Sequence, residues 1–585
     1  MLSREAAKRY QEWLEAPFLK EADRAELKNL TDEKEITDRF YCDLEFGTGG
    51  MRGELGIGTN RMNIYLIRRL TQALADTVIE HGGAARGVAI SYDSRRFSRE
   101  FASAAAGVLA ANGVKAYLFS ELAPTPVLSF AVRYTQAMAG IMVTASHNPK
   151  QYNGYKVYWE DGGQLPPEQA DKIIAKMAER NSWEVAEMPL DEAKKRDLLE
   201  MLGGTLHDAY TAKVKEQLLN VELCAAKGGE LNIVYTPLSG TGRRPVERIL
   251  MEIGFKNLYT VAAQAEPDEE FATVTVPNPE DAGAWALSEQ LAADIEQNTG
   301  QPVDLLLATD PDADRLGVCC RQPEGGYLRL SGNQVGVLLA YYIIKRESEL
   351  GILPENALVL KSVVSTALAN RVVQSLGVAI KDVPVGFKYI GEQIKLLEDD
   401  GREQDFLFGF EESLGYLKGT YARDKDAVIA AALVAEAALY YRAQGQTLLD
   451  VLRGLYQEFG YYLDAQVARS FPGIDGREQM REILQRLTAD RRDTLGGLNV
   501  ASREYYARGE QLINGKVKPL DFPQVDMLGL TFAAGGGFIK VRSSGTEPKL
   551  RFYFCVSGVD EEAASANLQA VQKEFFQPVS EFIKL

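Results

Sequence analysis

The chain has 585 residues, 46% of them hydrophobic, and a formal net charge of −17 from 65 basic and 82 acidic side chains. That length predicts roughly four domains of about 150 residues, and the apolar fraction supports packed cores and excludes a disordered chain. The acidic balance argues against general nucleic-acid binding, although a local basic pocket for phosphorylated small molecules remains compatible with it.

The N-terminal Met1-Leu2-Ser3-Arg4-Glu5 is charged and has no apolar h-region, so no signal peptide is expected. Five cysteines (Cys42, Cys224, Cys319, Cys320 and Cys555) show no CxxC spacing, and their odd count fits a reduced, cytoplasmic protein. Strand and helix patterns then alternate: strand at 87–91, helix at 101–112, strand at 115–120, strand at 139–144. The pattern restarts with a strand at 231–235 and a helix at 245–253, and again with a helix at 332–344, a strand at 357–360, a helix at 366–376 and a strand at 406–408. Three successive similar α/β domains with mixed sheets follow from this rhythm. Residues 527–532, 538–541 and 550–556 read as strands separated by Gly-rich or polar turns. Leu568, Val571, Phe575, Val579 and Phe582 fall at helical spacing, with Pro578 placed to interrupt that tail. This last part reads as a smaller C-terminal α+β domain. The expected divisions are 1–205, 206–322, 323–465 and 466–585. The longest apolar runs, 335–344 and 427–435, fall short of the ~20 residues of a membrane span, so no membrane partner is expected.

Asp310-Pro311-Asp312-Ala313-Asp314-Arg315 follows the largely apolar stretch 303–308. Three carboxylates this close repel one another and raise each other's pKa unless a cation sits among them. Oxygen-only ligands suit a hard cation, magnesium before zinc. An acidic loop is often solvated surface, but strand ends in α/β folds line ligand sites. An EF-hand fails because Arg315 and Arg321 stand where its loop needs Gly and Glu.

Thr144-Ala145-Ser146-His147-Asn148-Pro149 follows a second apolar run, 140–143. A turn with local side-chain capping is one reading. A Ser–His hydrolase is another, but no G-x-S-x-G elbow surrounds Ser146, and an adjacent His rarely reaches the Ser hydroxyl. A phosphorylated Ser146 would instead give an anionic oxygen to a metal on the aspartates.

This pair of loops resembles the α-D-phosphohexomutase superfamily, in which a T-x-S-H-N-P loop carries phosphoserine and D-x-D-x-D-R binds magnesium. Gly409-Phe410-Glu411-Glu412-Ser413 resembles the family's sugar-binding loop, and Arg542-Ser543-Ser544-Gly545-Thr546-Glu547-Pro548 its phosphate-binding loop. Phe46-Gly47-Thr48-Gly49-Gly50-Met51-Arg52-Gly53 matches a further signature, with Arg52 near the reacting phosphate; 235–240 and 277–280 add weaker support. The matches run in order from about residue 46 to about 551. Two positions depart from the usual pattern: Ser239, often His, and Phe410, commonly Gly.

The resemblance implies four domains around one central cleft, closed over the sugar by the fourth. It implies a mutase that interconverts α-D-glucose 1-phosphate and glucose 6-phosphate; a phosphopentomutase or phosphomannomutase would keep the same site. Ser146 is the implied phosphoryl carrier, with Asp310, Asp312 and Asp314 as ligands of Mg2+ and glucose 1,6-bisphosphate as activator. Lys156 is the implied acid/base, Lys388 the runner-up and Lys361 a weaker third. Burial beside other cations is expected to lower the pKa of Lys156 toward neutrality. Arg315 is expected at the serine phosphate, with His147 orienting the substrate. Carboxylate and hydroxyl oxygens at Glu411 and Ser413 suit sugar hydroxyls, with helix N-capping the alternative for Ser413. Arg542, Ser544, Gly545 and Thr546 suit a non-reacting phosphate. The expected partners are sugar phosphates, with no nucleic acid or membrane and a monomer or small homo-oligomer.

Overall fold

A computed structural model describes residues 4–47, 49–180, 183–471, 473–543 and 549–583. The chain forms two compact units: Met1–Arg329 with Gly391–Glu403 and Gly415–Leu439, and Leu330–Ile390 with Gln404–Leu414 and Tyr440–Leu585.

In the first unit, strands β1 (Gly50–Glu54), β2 (Val88–Tyr92), β3 (Ala116–Phe119), β4 (Ala139–Val143), β5 (Tyr152–Trp159) and β6 (Leu199–Leu202) form one sheet in the order β1-β5-β4-β2-β3-β6. The pairs β2–β4, β2–β3 and β3–β6 are parallel, whereas β5 runs antiparallel to both β4 and β1. β2 and β4 are buried at every residue, which is why both read as continuous apolar runs. Helices Ser98–Ala111 and Thr125–Thr135 pack on β2. The antiparallel return from β4 to β5 is short, so 144–151 projects from the end of a buried strand as a tight loop.

The second sheet repeats this plan. β7 (Asn232–Thr236), β8 (Asn257–Thr260), β9 (Leu305–Thr309), β10 (Leu316–Arg321) and β11 (Tyr327–Leu330) lie in the order β11-β10-β9-β7-β8. β7 pairs parallel with β8 and β9, and β10 returns antiparallel along β9. The acidic loop is therefore the β9–β10 turn, the counterpart of the β4–β5 loop that carries Ser146. A cap of three helices, Arg4–Glu15, Glu21–Lys28 and Glu33–Phe40, packs Trp13, Leu27 and Phe40 against Tyr65.

In the second unit, β12 (Leu358–Ser362) pairs parallel with β13 (Ala379–Val383) and β14 (Phe406–Glu411). The C-terminal domain is an antiparallel sheet. Its strands run in the order β16 (Tyr461–Ser470), β23 (Lys549–Gly558), β22 (Gly537–Ser543), β21 (Met527–Phe532), β18 (Leu498–Tyr505), β19 (Glu510–Ile513), β20 (Lys516–Pro519), with β17 (Thr494–Leu495) beside β18 and β15 being Gly415–Leu417 of the first unit. Helix Glu561–Phe576 buries Val571, Phe575 and Phe576 against it and stops before Pro578, as the missing N–H of proline requires. The three α/β repeats with mixed sheets and the antiparallel last domain match the sequence expectation. Phe410 also finds a packing reason: its ring lies over Gly336, where an added Cβ would stand 2.2 Å from it.

Candidate active site

Ser146 begins the turn after β4 and is 3% exposed. Its Oγ donates to Asp310 Oδ2 at 2.7 Å, which joins the two loops that the sequence singled out. His147 Nδ1 lies 3.1 Å from the same oxygen. The expectation that an adjacent His would miss the Ser hydroxyl is therefore overturned. The cause is the left-handed backbone of Ser146, φ 51°, which swings the following side chain alongside. Burial, with Arg315 and Arg52 nearby, pushes His147 well below its ordinary range, so the ring is neutral at neutral pH.

Asp310, Asp312 and Asp314 are 0%, 0% and 2% exposed, so the loop is not solvated surface. They offer ligand oxygens within 4.8 Å of one another. Asp310 Oδ1 accepts from the backbone N–H of Asp314 and Arg315 at 3.2 and 3.1 Å, and Ala313 at φ 48° curls the loop tightly. Burial, then Asp312 and Asp314, pushes the Asp310 pKa well above the carboxylate range. Burial would do the same to Asp312, but Lys156 holds it below that range. Asp312 Oδ1 and Asp314 Oδ1 are buried with no hydrogen-bond partner. Two orphaned carboxylate oxygens in an all-oxygen cluster fit a hard divalent cation.

Lys156 lies on β5, opposite Met142 of β4 and Gly50 of β1. Its Nζ donates to Asp312 Oδ2 at 2.7 Å and lies 3.6 Å from Asp314 Oδ2. Burial lowers the pKa of this amine, but Asp312 and Asp314 outweigh it and raise the pKa overall. The expected shift toward neutrality is thus reversed, because the near neighbours are anions. Arg52 on β1 is exposed and donates to Asn148 Oδ1 at 2.8 Å, bracing the serine loop. Arg315 Nη1 lies 3.9 Å from Glu280 Oε1, which links the aspartate turn to the 277–280 signature.

Four further residues at this site lie outside the sequence motifs. Lys425 Nζ lies 3.2 Å from Asp314 Oδ2 and 3.0 Å from Asp424 Oδ1. It belongs to Arg423-Asp424-Lys425-Asp426, four consecutive charged residues that are all buried, just before the apolar helix Ala427–Arg442; a charge run abutting so apolar a helix is its sequence signal. Thr125 Oγ1 donates to Asp312 Oδ2 at 2.8 Å, and Thr125 N to Asp312 O at 2.9 Å. Asp93 and Arg95, buried at the end of β2, brace the serine loop from behind. The turn that follows 235–240 also gains a role: the next residue, Thr241, donates from N and Oγ1 to Pro311 O at 2.8 and 2.9 Å. A Cβ on Gly240 would stand 2.4 Å from Pro311 Cα, so this close approach needs glycine.

The remaining expected residues lie in the second unit. Lys388 opens helix Lys388–Asp399, its Nζ 4.8 Å from the Tyr389 ring centre. Lys361 is buried in an ion pair with Asp382 at 2.9 Å, which occupies its charge structurally. Glu411 ends β14 and accepts from Gly386 N at 2.8 Å. Ser413 sits in a turn with no helix to cap, which removes the capping alternative. Arg542 on β22 faces Arg551 of β23 in register, and both Nε atoms are buried without a hydrogen-bond partner. Like charges directly opposite across strands are unfavourable on their own, so the pair suits an anion. Ser544, Gly545 and Thr546 lie outside the described residues.

Comparison with known proteins decides the family. Models of the phosphoglucomutase/phosphomannomutase alpha/beta/alpha domains I, II and III match residues 43–183, 208–325 and 331–459. A phosphoglucomutase of Staphylococcus haemolyticus is 34% identical over 535 residues, covering 90% of this chain and 93% of that protein. The chain belongs to the phosphoglucomutase/phosphomannomutase family, within the α-D-phosphohexomutase superfamily. A second phosphohexomutase relative, the Staphylococcus aureus phosphoglucomutase, is 32% identical over 559 residues, 95% of this chain and 97% of that one. Among solved structures, parafusin, a phosphoglucomutase of Paramecium in an open form, superposes with a TM-score of 0.67 at 16% identity, covering 93% and 96% of the two chains. A phosphoglucomutase/phosphomannomutase family protein of Burkholderia thailandensis gives 0.63 at 18% identity, over 92% and 97%. These two share the fold. No helix among the described residues is long and apolar enough to cross a membrane.

Proposed function

We propose that this phosphohexomutase is a phosphoglucomutase that interconverts α-D-glucose 1-phosphate and glucose 6-phosphate. The observation that carries the reading is the 2.7 Å contact between Ser146 Oγ and Asp310 Oδ2, inside a buried aspartate cluster with two orphaned oxygens. The Staphylococcus relatives supply the reaction by name.

Phospho-Ser146 gives its phosphoryl group to a sugar monophosphate: the P–Oγ bond breaks and a bond to a sugar hydroxyl oxygen forms, while Lys156 gives a proton to the departing serine oxygen and takes up the one the hydroxyl releases. The bisphosphorylated sugar reorients and returns its other phosphoryl group to Ser146. A magnesium ion held by Asp310, Asp312 and Asp314 would neutralise charge developing on the transferring group. Lys156, kept protonated by Asp312 and Asp314, serves as the proton donor at the serine oxygen, with Lys425 as a second cation beside Asp314. Neutral His147 donates a hydrogen bond from Nδ1 to Ser146 Oγ, whose own hydrogen goes to Asp310. Glu411 and Ser413 take the sugar hydroxyls, and Arg542 with Ser544, Gly545 and Thr546 takes the phosphate that does not react. Glucose 1,6-bisphosphate primes the serine.

The test is isomerisation of glucose 1-phosphate in a coupled assay with magnesium and a trace of glucose 1,6-bisphosphate, beside mannose, pentose and aminosugar 1-phosphates. The glucose substrate is expected to turn over fastest, and Ser146→Ala to abolish turnover. Full turnover by Ser146→Ala would overturn the mechanism. A faster pentose or mannose phosphate would reassign the substrate.

A further inference from the structure

Ser146 stands at φ 51°, a left-handed backbone that a residue with a Cβ adopts only under constraint. Both of its peptide groups are held. On the N-terminal side, Ser146 N donates to Thr144 Oγ1 at 2.7 Å, and that hydroxyl donates to Asp93 Oδ2 at 2.6 Å. On the C-terminal side, Ser146 O accepts from Arg95 Nη2 at 2.5 Å. The same Nη2 donates to Asn148 O, and Nη1 donates to Pro149 O and Tyr152 O at 2.9 and 3.0 Å. Three carbonyl oxygens of the loop and that of Tyr152, the first residue of β5, thus converge on one guanidinium. The Arg95 side chain is fully buried, with Nε 3.3 Å from Asp93 Oδ2 and its plane 5.1 Å from the Phe271 ring centre.

We propose that Arg95 is the positioning residue of the phosphoryl-carrying loop. It holds Ser146 in the left-handed conformation that aims Oγ at Asp310. This rests on the mutase reading above. Converging carbonyl dipoles repel one another, and a planar fork of five N–H donors can satisfy four of them at once. A lysine ammonium has three donors radiating from one point and cannot span them. Without the fork, Ser146 relaxes toward an ordinary φ, and its Oγ leaves the 2.7 Å contact with Asp310. Arg95 does not meet the substrate, so its loss acts on turnover and leaves substrate affinity alone.

The experiment uses the full chain with magnesium, phosphorylated beforehand with glucose 1,6-bisphosphate, as native protein, Arg95→Lys and Arg95→Ala. Rapid quench follows phosphoryl transfer from Ser146 to glucose 1-phosphate, steady-state assays give kcat and KM, and circular dichroism gives the unfolding midpoint. A misplacement of about 1 Å costs on the order of 100-fold, so transfer and kcat should fall about that much in both variants, with KM changed by less than about 3-fold. Methylguanidinium should restore part of the transfer rate to Arg95→Ala and none to Arg95→Lys, whose amine fills the space. Arg95→Lys keeps the buried charge beside Asp93 and is the variant for which folding is secure. Native-like kcat in Arg95→Lys, a loss confined to KM, or unfolding of both variants at the assay temperature would each overturn the proposal. Failure of the native protein to carry phosphoserine or to isomerise glucose 1-phosphate would instead overturn the mutase reading.

Discussion

Replacing Lys156 with Met removes the cation closest to the aspartate cluster. Lys156, Lys425 and Arg315 supply three positive charges around Asp310, Asp312 and Asp314. At the 2.7 Å separation of Lys156 Nζ and Asp312 Oδ2, and an effective dielectric of about 20, the attraction is roughly 6 kcal/mol. Residual exposure of the amine and uptake of a proton by the stranded carboxylates reduce the net cost to about 3–5 kcal/mol, as for other buried pairs broken on one side. The metal-free variant should therefore melt about 2–4 °C below native protein in a thermal unfolding experiment. Magnesium should raise the midpoint of Lys156→Met more than that of native protein, because the ion restores charge that native protein already balances with its lysine. Turnover should fall by about 100-fold or more with little change in KM, as for loss of a general acid. Equal metal-free midpoints, or equal stabilisation of both proteins by magnesium, would refute the electrostatic argument. A loss in KM alone would move the acid/base role to Lys388.

Asp312→Asn should weaken magnesium-dependent activation, seen as a rightward shift of the activity-versus-magnesium curve; an unchanged curve would remove Asp312 from the ligand set. Thr125→Val deletes one donor to the Asp312 carboxylate and should reduce metal affinity by about 10- to 100-fold, read by titration calorimetry. Arg551→Gln should raise KM for glucose 1-phosphate with kcat preserved, whereas an unaffected KM would show that its buried Nε does not serve the phosphate. Asp464 tests an electrostatic feature away from the aspartates. Burial pushes its pKa up to about 6, against the hydrogen bonds it shares with Cys555, Thr366 and Asn333. The raised pKa means that its contribution is fully present below about pH 4 and is lost as pH rises through about 6, at most about 3 kcal/mol. Asp464→Asn should thus gain stability relative to native protein between about pH 4.5 and 7.5, and parallel pH profiles would contradict the assignment.

Chemistry is legible in the sequence where it is concentrated in short loops at the ends of apolar strands. Asp310, Asp312 and Asp314 alternate within five residues, and Ser146 lies just past 140–143, so both loops stand out from the residue pattern alone. Strand and helix order is legible for the same reason: β2, β4, β7 and β9 are buried on both faces and read as largely apolar runs. What the sequence hides acts across long separations. Thr125 reaches Asp312 over 187 positions, and Lys425 reaches Asp314 from a segment whose charges look like solvated surface. The direction of the Lys156 shift is not readable from the sequence because it depends on which charges lie within 4 Å, and β5 sets that by placing the amine beside the aspartate turn. The reach of His147 is hidden too, because a single left-handed residue changes what adjacent side chains can touch.

The most direct measurement follows one labelled phosphoryl group. Native protein carrying isotopically labelled phosphate on Ser146 is mixed with unlabelled glucose 1-phosphate and magnesium, and the products are separated after a single turnover. The label is predicted to pass through glucose bisphosphate and emerge on glucose 6-phosphate, leaving Ser146 with the unlabelled phosphoryl group that began on C1. Label released as inorganic phosphate, or retained on Ser146 while glucose 6-phosphate accumulates, would contradict a phosphoryl-exchange mutase centred on Ser146.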